Sequence, residues 1–331
     1  TKLNVSTLLP AKKDKLNLNL AVNSTPEGEH ITDINWKTKD SDAASGNFRI
    51  RTSLASALPK FSGIDVDIDP GQVVFSDTVW TIAPAKIRYA ADKSLIVEGF
   101  HAYHENQSIA LDGAASAAED QTLTLNLEDF SLDYLFDTLN IPNVTLGGDA
   151  SGTFHASALF SKTPILSTDN LKVKNISYND CVFGDADIKS HWNNENQSVV
   201  IDADIVNNEG LHTFIIGRIG PISEELDLHF IANHVPVTFL KPYMKAFCSS
   251  ITGYATGDAR LAGTFKDLDI TGDVYGENVR MAIDFTGVTY CVSDSVIMRP
   301  GKIMLKNLHL SDPHGNTALL SGELTHRYFN D

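Results

Sequence analysis

The chain has 331 residues, with 42 acidic against 26 basic side chains and a formal net charge of -16 at pH 7. This excess of acid argues against nucleic-acid binding, because phosphate contacts need clustered Lys and Arg. The hydrophobic fraction of 42% is ordinary for a globular protein and argues against disorder. No run of the sequence approaches the ~20 apolar residues of a membrane helix, and no signal peptide is visible.

Alternation of apolar and polar residues with a period of two dominates the sequence from its first strand-like run onward. Successive side chains of a strand point to opposite faces, so each run predicts one dry and one wet face, as in antiparallel sheets. Three of these runs supply our candidate site. We expect its nine members to point to one shared apolar interior: Leu123, Leu125, Leu127, Val199, Ile201, Ile205, Leu226, Leu228 and Phe230.

Turn residues separate the runs and predict a meander with short connections. They lie at Asp69 to Gly71, Asp112 to Gly113, Asn207 to Gly210 and Pro313 to Asn316. In three runs the alternation slips by one residue, at Gly99, Asn175 and Asn307. A β-bulge would produce this slip, and Gly and Asn tolerate the left-handed backbone that some bulges need. A turn at the end of the strand is the alternative.

Two stretches have helical spacing instead. Ser131 is a candidate N-cap for a helix that extends to Leu139. Pro236 can begin a second helix that extends to Phe247, with Phe239, Leu240, Tyr243 and Phe247 on one side, and Pro242 is expected to kink or shorten it.

Each predicted helix is followed by a similar strand, which carries the pattern G-x-A-[ST]-G. Gly148 matches Gly253 in these two stretches, Thr145 to Phe160 and Ser250 to Phe265. The repeat predicts stacked structural units. We therefore divide the chain into a β-rich segment 1–126 and two helix-plus-strand units, 127–230 and 231–331. The fold class predicted is all-β, an antiparallel sheet with two short helices.

The sequence offers little chemistry, and we expect no enzyme, no cofactor and no metal. The glycine-rich segments match neither a phosphate-binding loop nor a dinucleotide fingerprint, and no G-x-S-x-G elbow is present. His101 and His104 would face opposite sides of a strand. Asp65, Asp67 and Asp69 fit a solvated acidic face better than a calcium loop. The three cysteines, Cys181, Cys248 and Cys291, form no C-x-x-C pair, so buried thiols are expected.

Four passages together resemble a middle segment of TamB-like translocation and assembly module proteins of the Bacteroidetes type, within the AsmA-like superfamily. They run from Asp77 to Ser116, from Leu127 to Phe160, from Leu171 to Ile205 and from Pro236 to Phe265. Their order along the chain carries the likeness better than any one motif.

The resemblance implies an elongated, open trough with an aliphatic interior, called a β-taco. It also implies a periplasmic segment of a cell-envelope protein with an inner-membrane anchor outside this chain. Phospholipid acyl chains would be its cargo, and an Omp85-family outer-membrane protein would be a partner of the full-length protein. Two alternatives stay open: a chaperone-like scaffold that pairs a sheet edge with substrate strands, and a surface adhesin or glycan-binding β-protein.

Overall fold

The computed structural model describes residues 2–10, 15–38, 44–57, 60–75, 78–134, 145–245 and 247–325. These residues form 22 strands of one antiparallel sheet and two short helical segments, so the predicted all-β class is confirmed. Contacts divide the chain into two compact units, the first of Thr1–Tyr134 and Ala150–Thr168, the second of Leu135–Asp149 and Asp169–Asp331. The three segments predicted from the repeat stay a prediction.

The first unit is an antiparallel meander in which two positions are each occupied by two short strands in line, Lys60–Ile68 with Gly71–Phe75 and Thr78–Ile82 with Ala85–Ala90. Its strands are β1 (Lys2–Pro10), β2 (Lys15–Ser24), β3 (His30–Thr38), β4 (Ala44–Ala57), β5 (Lys60–Ile68), β6 (Gly71–Phe75), β7 (Thr78–Ile82), β8 (Ala85–Ala90), β9 (Leu95–His104), β10 (Gln107–Ala115) and β11 (Thr122–Ser131). The chain passes between the units within β12 (Leu146–Ser157) and β13 (Ile165–Tyr178).

Two of the predicted turns are wrong. Asp69 to Gly71 does not reverse the chain, because β5 and β6 both pair with β4 in the same direction and form one strand interrupted at Pro70. Pro70 has no N–H to donate to a ladder, which explains the interruption. Asp112 and Gly113 lie inside β10, opposite a bulge in β9. The turns at 207–210 and 313–316 are confirmed by backbone hydrogen bonds that close them.

The second unit continues as a meander with direct pairing of successive strands from β14 to β22. Its strands are β14 (Cys181–Asn193), β15 (Ser198–Val206), β16 (His212–Gly220), β17 (Glu225–Pro236), β18 (Cys248–Thr264), β19 (Leu268–Ile283), β20 (Val288–Arg299), β21 (Lys302–Ser311) and β22 (Thr317–Thr325). The alternation of the sequence therefore becomes two distinct faces of a sheet in this unit.

Bulges of one recurring geometry, each marked by a register shift, interrupt β9, β17, β19 and β21, and the same backbone contact occurs in β11 and β13. At each, a residue with positive φ donates its backbone N–H to a Ser, Thr or Asp side chain of the next strand. The pairs are Gly99–Asp112, Asp129–Ser151, Asn175–Asp185, His234–Thr256, Asn278–Ser293 and Asn307–Ser321, with donor–acceptor distances of 2.7 to 3.0 Å.

The predicted bulges at Gly99 and Asn307 are confirmed by register shifts, and Asn175 has the same positive φ and hydrogen bond. The extra residue keeps the apolar set on one face: Val97 before the first bulge is 2% exposed, and Phe100 after it packs in the same cluster as Ala102. A bulge also bends its strand and increases the local twist.

The G-x-A-[ST]-G repeat supplies two of these hydrogen-bond acceptors. Its first glycine has φ of 124° at Gly148 and 114° at Gly253, and a Cβ at Gly253 would lie 2.6 Å from the carbonyl oxygen of Asn278. Its hydroxyl residues, Ser151 and Thr256, accept the bulge N–H groups of Asp129 and His234. The repeat thus binds the N–H of a residue with positive φ just before each helical segment, at 132 and at 237.

The second helical segment is shorter than predicted, and the first is described only in part. Residues 132–134 are helical, and the rest of the first predicted helix lies outside the described residues. The second is a 3-10 helix, Val237–Leu240, followed by one α-helical turn, Lys241–Met244. The expected apolar side is partly wrong, because Tyr243 and Phe247 are 53% and 44% exposed. Val237, Leu240 and Met244 face the protein instead, and Pro242 lies in the first turn, where its missing N–H costs nothing.

Candidate functional site

The register of the second unit places its six candidate residues on one face of the sheet, which we call the inner face. Residues directly opposite each other in paired strands share a face. Three rows of such partners cross β14 to β19: Trp192, Val199, Ile219, Leu226, Gly263 and Leu268; Ser190, Ile201, Gly217, Leu228, Leu261 and Ile270; and Ile188, Ala203, Ile215, Phe230, Ala259 and Gly272. Ile205 lies in the next row, between Ala186 and Thr213.

The inner face is less exposed than the opposite face, although both belong to the same strands. Ile215 on β16 is partly buried, whereas its neighbour Ile216 is 47% exposed, and Phe230 on β17 is partly buried, whereas Ile231 is 43% exposed. A flat single layer would expose both faces alike. The asymmetry indicates that the sheet of this unit curls towards the inner face, in agreement with its bulges.

Most of the inner face is nevertheless not a dry core. Of the six candidate residues here, Ile205 is buried at 5% exposure, and the other five are partly exposed. Ile201 lies between Ser190 and Gly217, two small partners that leave its side chain accessible. The polar side chains in these rows are Ser190 and Thr213, and the Thr213 hydroxyl accepts the N–H of Asn233 at 3.1 Å. The face is therefore a partly exposed aliphatic surface.

Leu123, Leu125 and Leu127 lie on the apolar face of the first unit, which we call its inner face. They pair with Gly113, Leu111 and Ile109 of β10, which pair in turn with Val97, Phe100 and Ala102 of β9. All three leucines are partly buried. The structure thus brings the nine candidate residues together as a set of three on one unit and a set of six on the other. An interior shared by all nine stays a prediction.

The dry part of the inner face lies under residues 237–244, which we call the strap. Val237, Cys248 and Ile251 are 5%, 2% and 4% exposed and form a cluster with partly buried apolar residues of the strap and of β18 and β19. The strap also reaches back three strands to β14. There the Thr238 hydroxyl donates to Cys181 Sγ at 2.9 Å, and Phe239 packs against Phe183 with a centroid distance of 5.8 Å.

The helical residues of the first unit occupy a similar place. Tyr134 packs edge-on against Trp80, with ring centroids 6.0 Å apart, and its hydroxyl lies 3.2 Å from the Thr78 hydroxyl of β7. Trp80, Ile82 and Ala102 form the buried cluster beneath it. Each helical segment therefore follows a strand, β11 or β17, and packs on the apolar face of its own unit. The sequence showed the two segments but not where they pack.

Cross-strand ion pairs form on the outer, polar faces of both units. Asp65, Asp67 and Asp69 pair with Arg88, Lys86 and Arg51, so they form part of an ionic ladder rather than a calcium loop. In the second unit, Arg260 donates from Nε and Nη2 to Asp227 at 2.6 and 2.7 Å. These hydrogen bonds lower the pKa of Asp227, and those from Arg299 lower the pKa of Asp273 in the same way.

The described residues contain no group of three or more His, Cys, Asp and Glu side chains that could hold a metal ion. Cys181 and Cys248 are buried thiols and Cys291 is partly buried, each without a disulfide. No helix in the described ranges has the length and apolar character needed to cross a membrane. What the arrangement offers chemically is apolar contact along the inner faces.

Comparisons of this chain with protein-family models, with curated proteins and with solved structures give no match.

Proposed function

We propose that this chain is a periplasmic segment of a TamB-like envelope protein of the AsmA-like superfamily, and that its inner faces hold phospholipid acyl chains between the inner and outer membranes. The observation that carries the proposal is the partly exposed aliphatic surface of the second unit. Val199, Ile201, Leu226 and Leu228 lie in register there, and exposed apolar strips of this kind usually mark a ligand or partner site.

An acyl chain suits this surface better than a polypeptide. The inner rows consist almost entirely of aliphatic side chains and glycine, and the backbone groups of β15 to β18 are engaged in the sheet. A polypeptide lying on such a face would bury N–H and C=O groups without partners, which is costly. An acyl chain has no such groups, and each methylene that leaves water contributes about 0.8 kcal/mol without directional contacts.

The remaining parts of the proposal come from the family resemblance. The full-length protein would be anchored in the inner membrane and would engage an Omp85-family protein at the outer membrane. This segment would supply part of the path between them. Its acidic surface, with a net charge of -16, favours neither nucleic acid nor direct adsorption to anionic headgroups.

Lipid extraction tests the proposal. The protein is exported to the periplasm of a Gram-negative host and purified in parallel with two variants of β17, Leu228→Asp on the inner face and Ile231→Asp on the outer face. We expect phospholipid to co-purify with the wild type and with Ile231→Asp, and to fall at least fivefold with Leu228→Asp. Lipid-free wild-type protein, or equal lipid in both variants, would contradict the proposal.

Strand pairing is a second candidate function, favoured by β22. All nine residues of this strand are exposed, with Leu319, Leu320 and Leu324 at 65%, 41% and 57%. Strand addition to such an edge would supply main-chain hydrogen bonds to an extended polypeptide. Cross-linking from Leu320 to a polypeptide, without lipid on Leu228, would favour this candidate over lipid binding.

A further inference from the structure

The strap, residues 237–244, is attached to the unit in a different way from the strands around it. β17 and β18 before and after it are joined by a long ladder of backbone hydrogen bonds. In the strap, the described backbone bonds remain local: Lys241 N–H donates to Thr238 O, and Phe247 N–H donates to Met244 O. Neither of its two helical N-termini, at Pro236 and Leu240, has a side-chain cap.

Side chains make the connection to the rest of the unit. Val237 is buried beside Cys248 and Ile251, and Leu240 and Met244 pack on the same cluster. Thr238 contacts Cys181, and the Tyr178 and Tyr243 hydroxyl groups hydrogen-bond to each other. A segment held only by side chains opens locally at a lower free-energy cost than a strand in the middle of a sheet.

What lies beneath the strap is apolar surface continuous with the inner face. Cys248 and Ile251 of β18 lie beneath the strap, and the β14 residues Cys181 and Phe183 contact its Thr238 and Phe239. Release of the strap would expose this surface without breaking any strand pairing. The covered area would then join the partly exposed rows on the same face.

We propose that the strap is a lid on the inner face of the second unit, and that it lifts to admit and release the acyl chain. This inference rests on the proposed function. The acyl chain would extend from the partly exposed rows of β15 to β18 onto the surface beneath the lid, so the lid gates exchange without forming those rows. Holding the lid closed should therefore slow uptake and release without removing the binding surface.

Thr238→Cys allows a disulfide to hold the lid closed, because the Thr238 hydroxyl already lies 2.9 Å from the Sγ of the native Cys181. A disulfide needs such proximity between the two side chains. Thr238→Ser keeps the hydroxyl and cannot form the bond, so it is the matched control. Peptide mapping establishes that the bond joins residues 181 and 238 and neither of the other cysteines.

The readout is release of a pyrene-labelled phosphatidylethanolamine from loaded protein to acceptor vesicles. We expect the oxidised Thr238→Cys protein to retain the same amount of lipid and to release it at least tenfold more slowly than the reduced protein and Thr238→Ser. Equal release rates from oxidised and reduced protein that both carry lipid would overturn the lid. Failure of every form to bind lipid would instead overturn the proposed function, and the role of the lid with it.

A lipid-independent measurement separates the two failures. Labelling of the buried Cys181 thiol in wild-type protein reports opening of the strap. We expect a rate that is insensitive to low urea, as in local opening. A labelling rate that rises with urea in parallel with global unfolding would overturn the lid, whatever the lipid results.

Discussion

Replacement of Ile201 by Asp distinguishes an open inner face from a filled core, because the loss of stability differs between the two. Ile201 is partly buried, and its cross-strand partners are Ser190 and Gly217, so a carboxylate at this position would stay in contact with water. Complete burial of an Ile side chain contributes about 1.5–3 kcal/mol. Loss of roughly half of it, with up to ~1 kcal/mol for the poor strand propensity of Asp, gives a destabilisation of about 2 kcal/mol.

Two further variants of the same sheet provide reference values for the loss of stability. Ile205→Asp places the charge at a site that is 5% exposed, where an unpaired charge should cost more than about 4 kcal/mol. Ile216→Asp lies on the outer face, 47% exposed, and should cost less than about 1 kcal/mol.

Thermal unfolding followed by circular dichroism measures all three. At about 2–4 °C per kcal/mol for a unit of this size, we expect the melting temperature of Ile201→Asp to fall by about 4–8 °C. Ile205→Asp should unfold the unit or lower its melting temperature by more than about 10 °C. If Ile201→Asp is as damaging as Ile205→Asp, the inner face is a closed core and offers no open surface to a lipid.

Three other predictions concern the scaffold. Gly253→Ala should lower the free energy of unfolding in urea by more than about 2 kcal/mol, because its Cβ would lie 2.6 Å from Asn278 O. Gly287→Ala, also at positive φ but with open space around it, should lower it by about 1 kcal/mol. Equal losses would contradict the structural role of the repeat. Thr256→Val should cost about 0.5–1.5 kcal/mol and speed hydrogen exchange at the His234 amide, which loses its acceptor; unchanged exchange would contradict the bulge geometry. Arg260→Gln should raise the pKa of Asp227, as followed by carboxyl NMR. The pKa of Asp227 is lower in the folded protein than in the unfolded chain, so the ion pair should stabilise the fold above about pH 4. This stabilisation, under about 1 kcal/mol for an exposed pair, should be lost as pH falls through the native pKa. A stability difference between wild type and variant that persists in acid would contradict this.

The sequence was informative wherever one physical rule decided the outcome. Alternation predicted the faces of β15 and β17, because a one-residue slip of register would expose their apolar residues. The slip at Gly99 predicted a bulge, because only an extra residue returns Phe100 to the face of Val97. Asp112 misled the prediction, since Asp followed by Gly is a turn signal, yet here the Asp112 carboxylate accepts the bulge N–H of Gly99.

The packing of the strap could not be predicted from the sequence, for a different reason. Its spacing showed an amphipathic helix but not which residues would be covered, and Tyr243 proved exposed while Met244 packs inward. Contact with Cys181 depends on how far the sheet curls between β14 and β17, a property of four strands together. The role of Ser151 and Thr256 likewise appears only when neighbouring strands are placed beside each other.

Photo-cross-linking from the two faces of the second unit distinguishes bound lipid from bound polypeptide. Benzoylphenylalanine is introduced at Phe230 on the inner face or at Phe214 on the outer face, where the native ring is 37% exposed. The proteins are irradiated in the cell envelope, and the adducts are identified by mass spectrometry. We expect phospholipid adducts at position 230 and none at position 214. Polypeptide adducts at 230, or equal lipid labelling at both positions, would contradict lipid binding on the inner face.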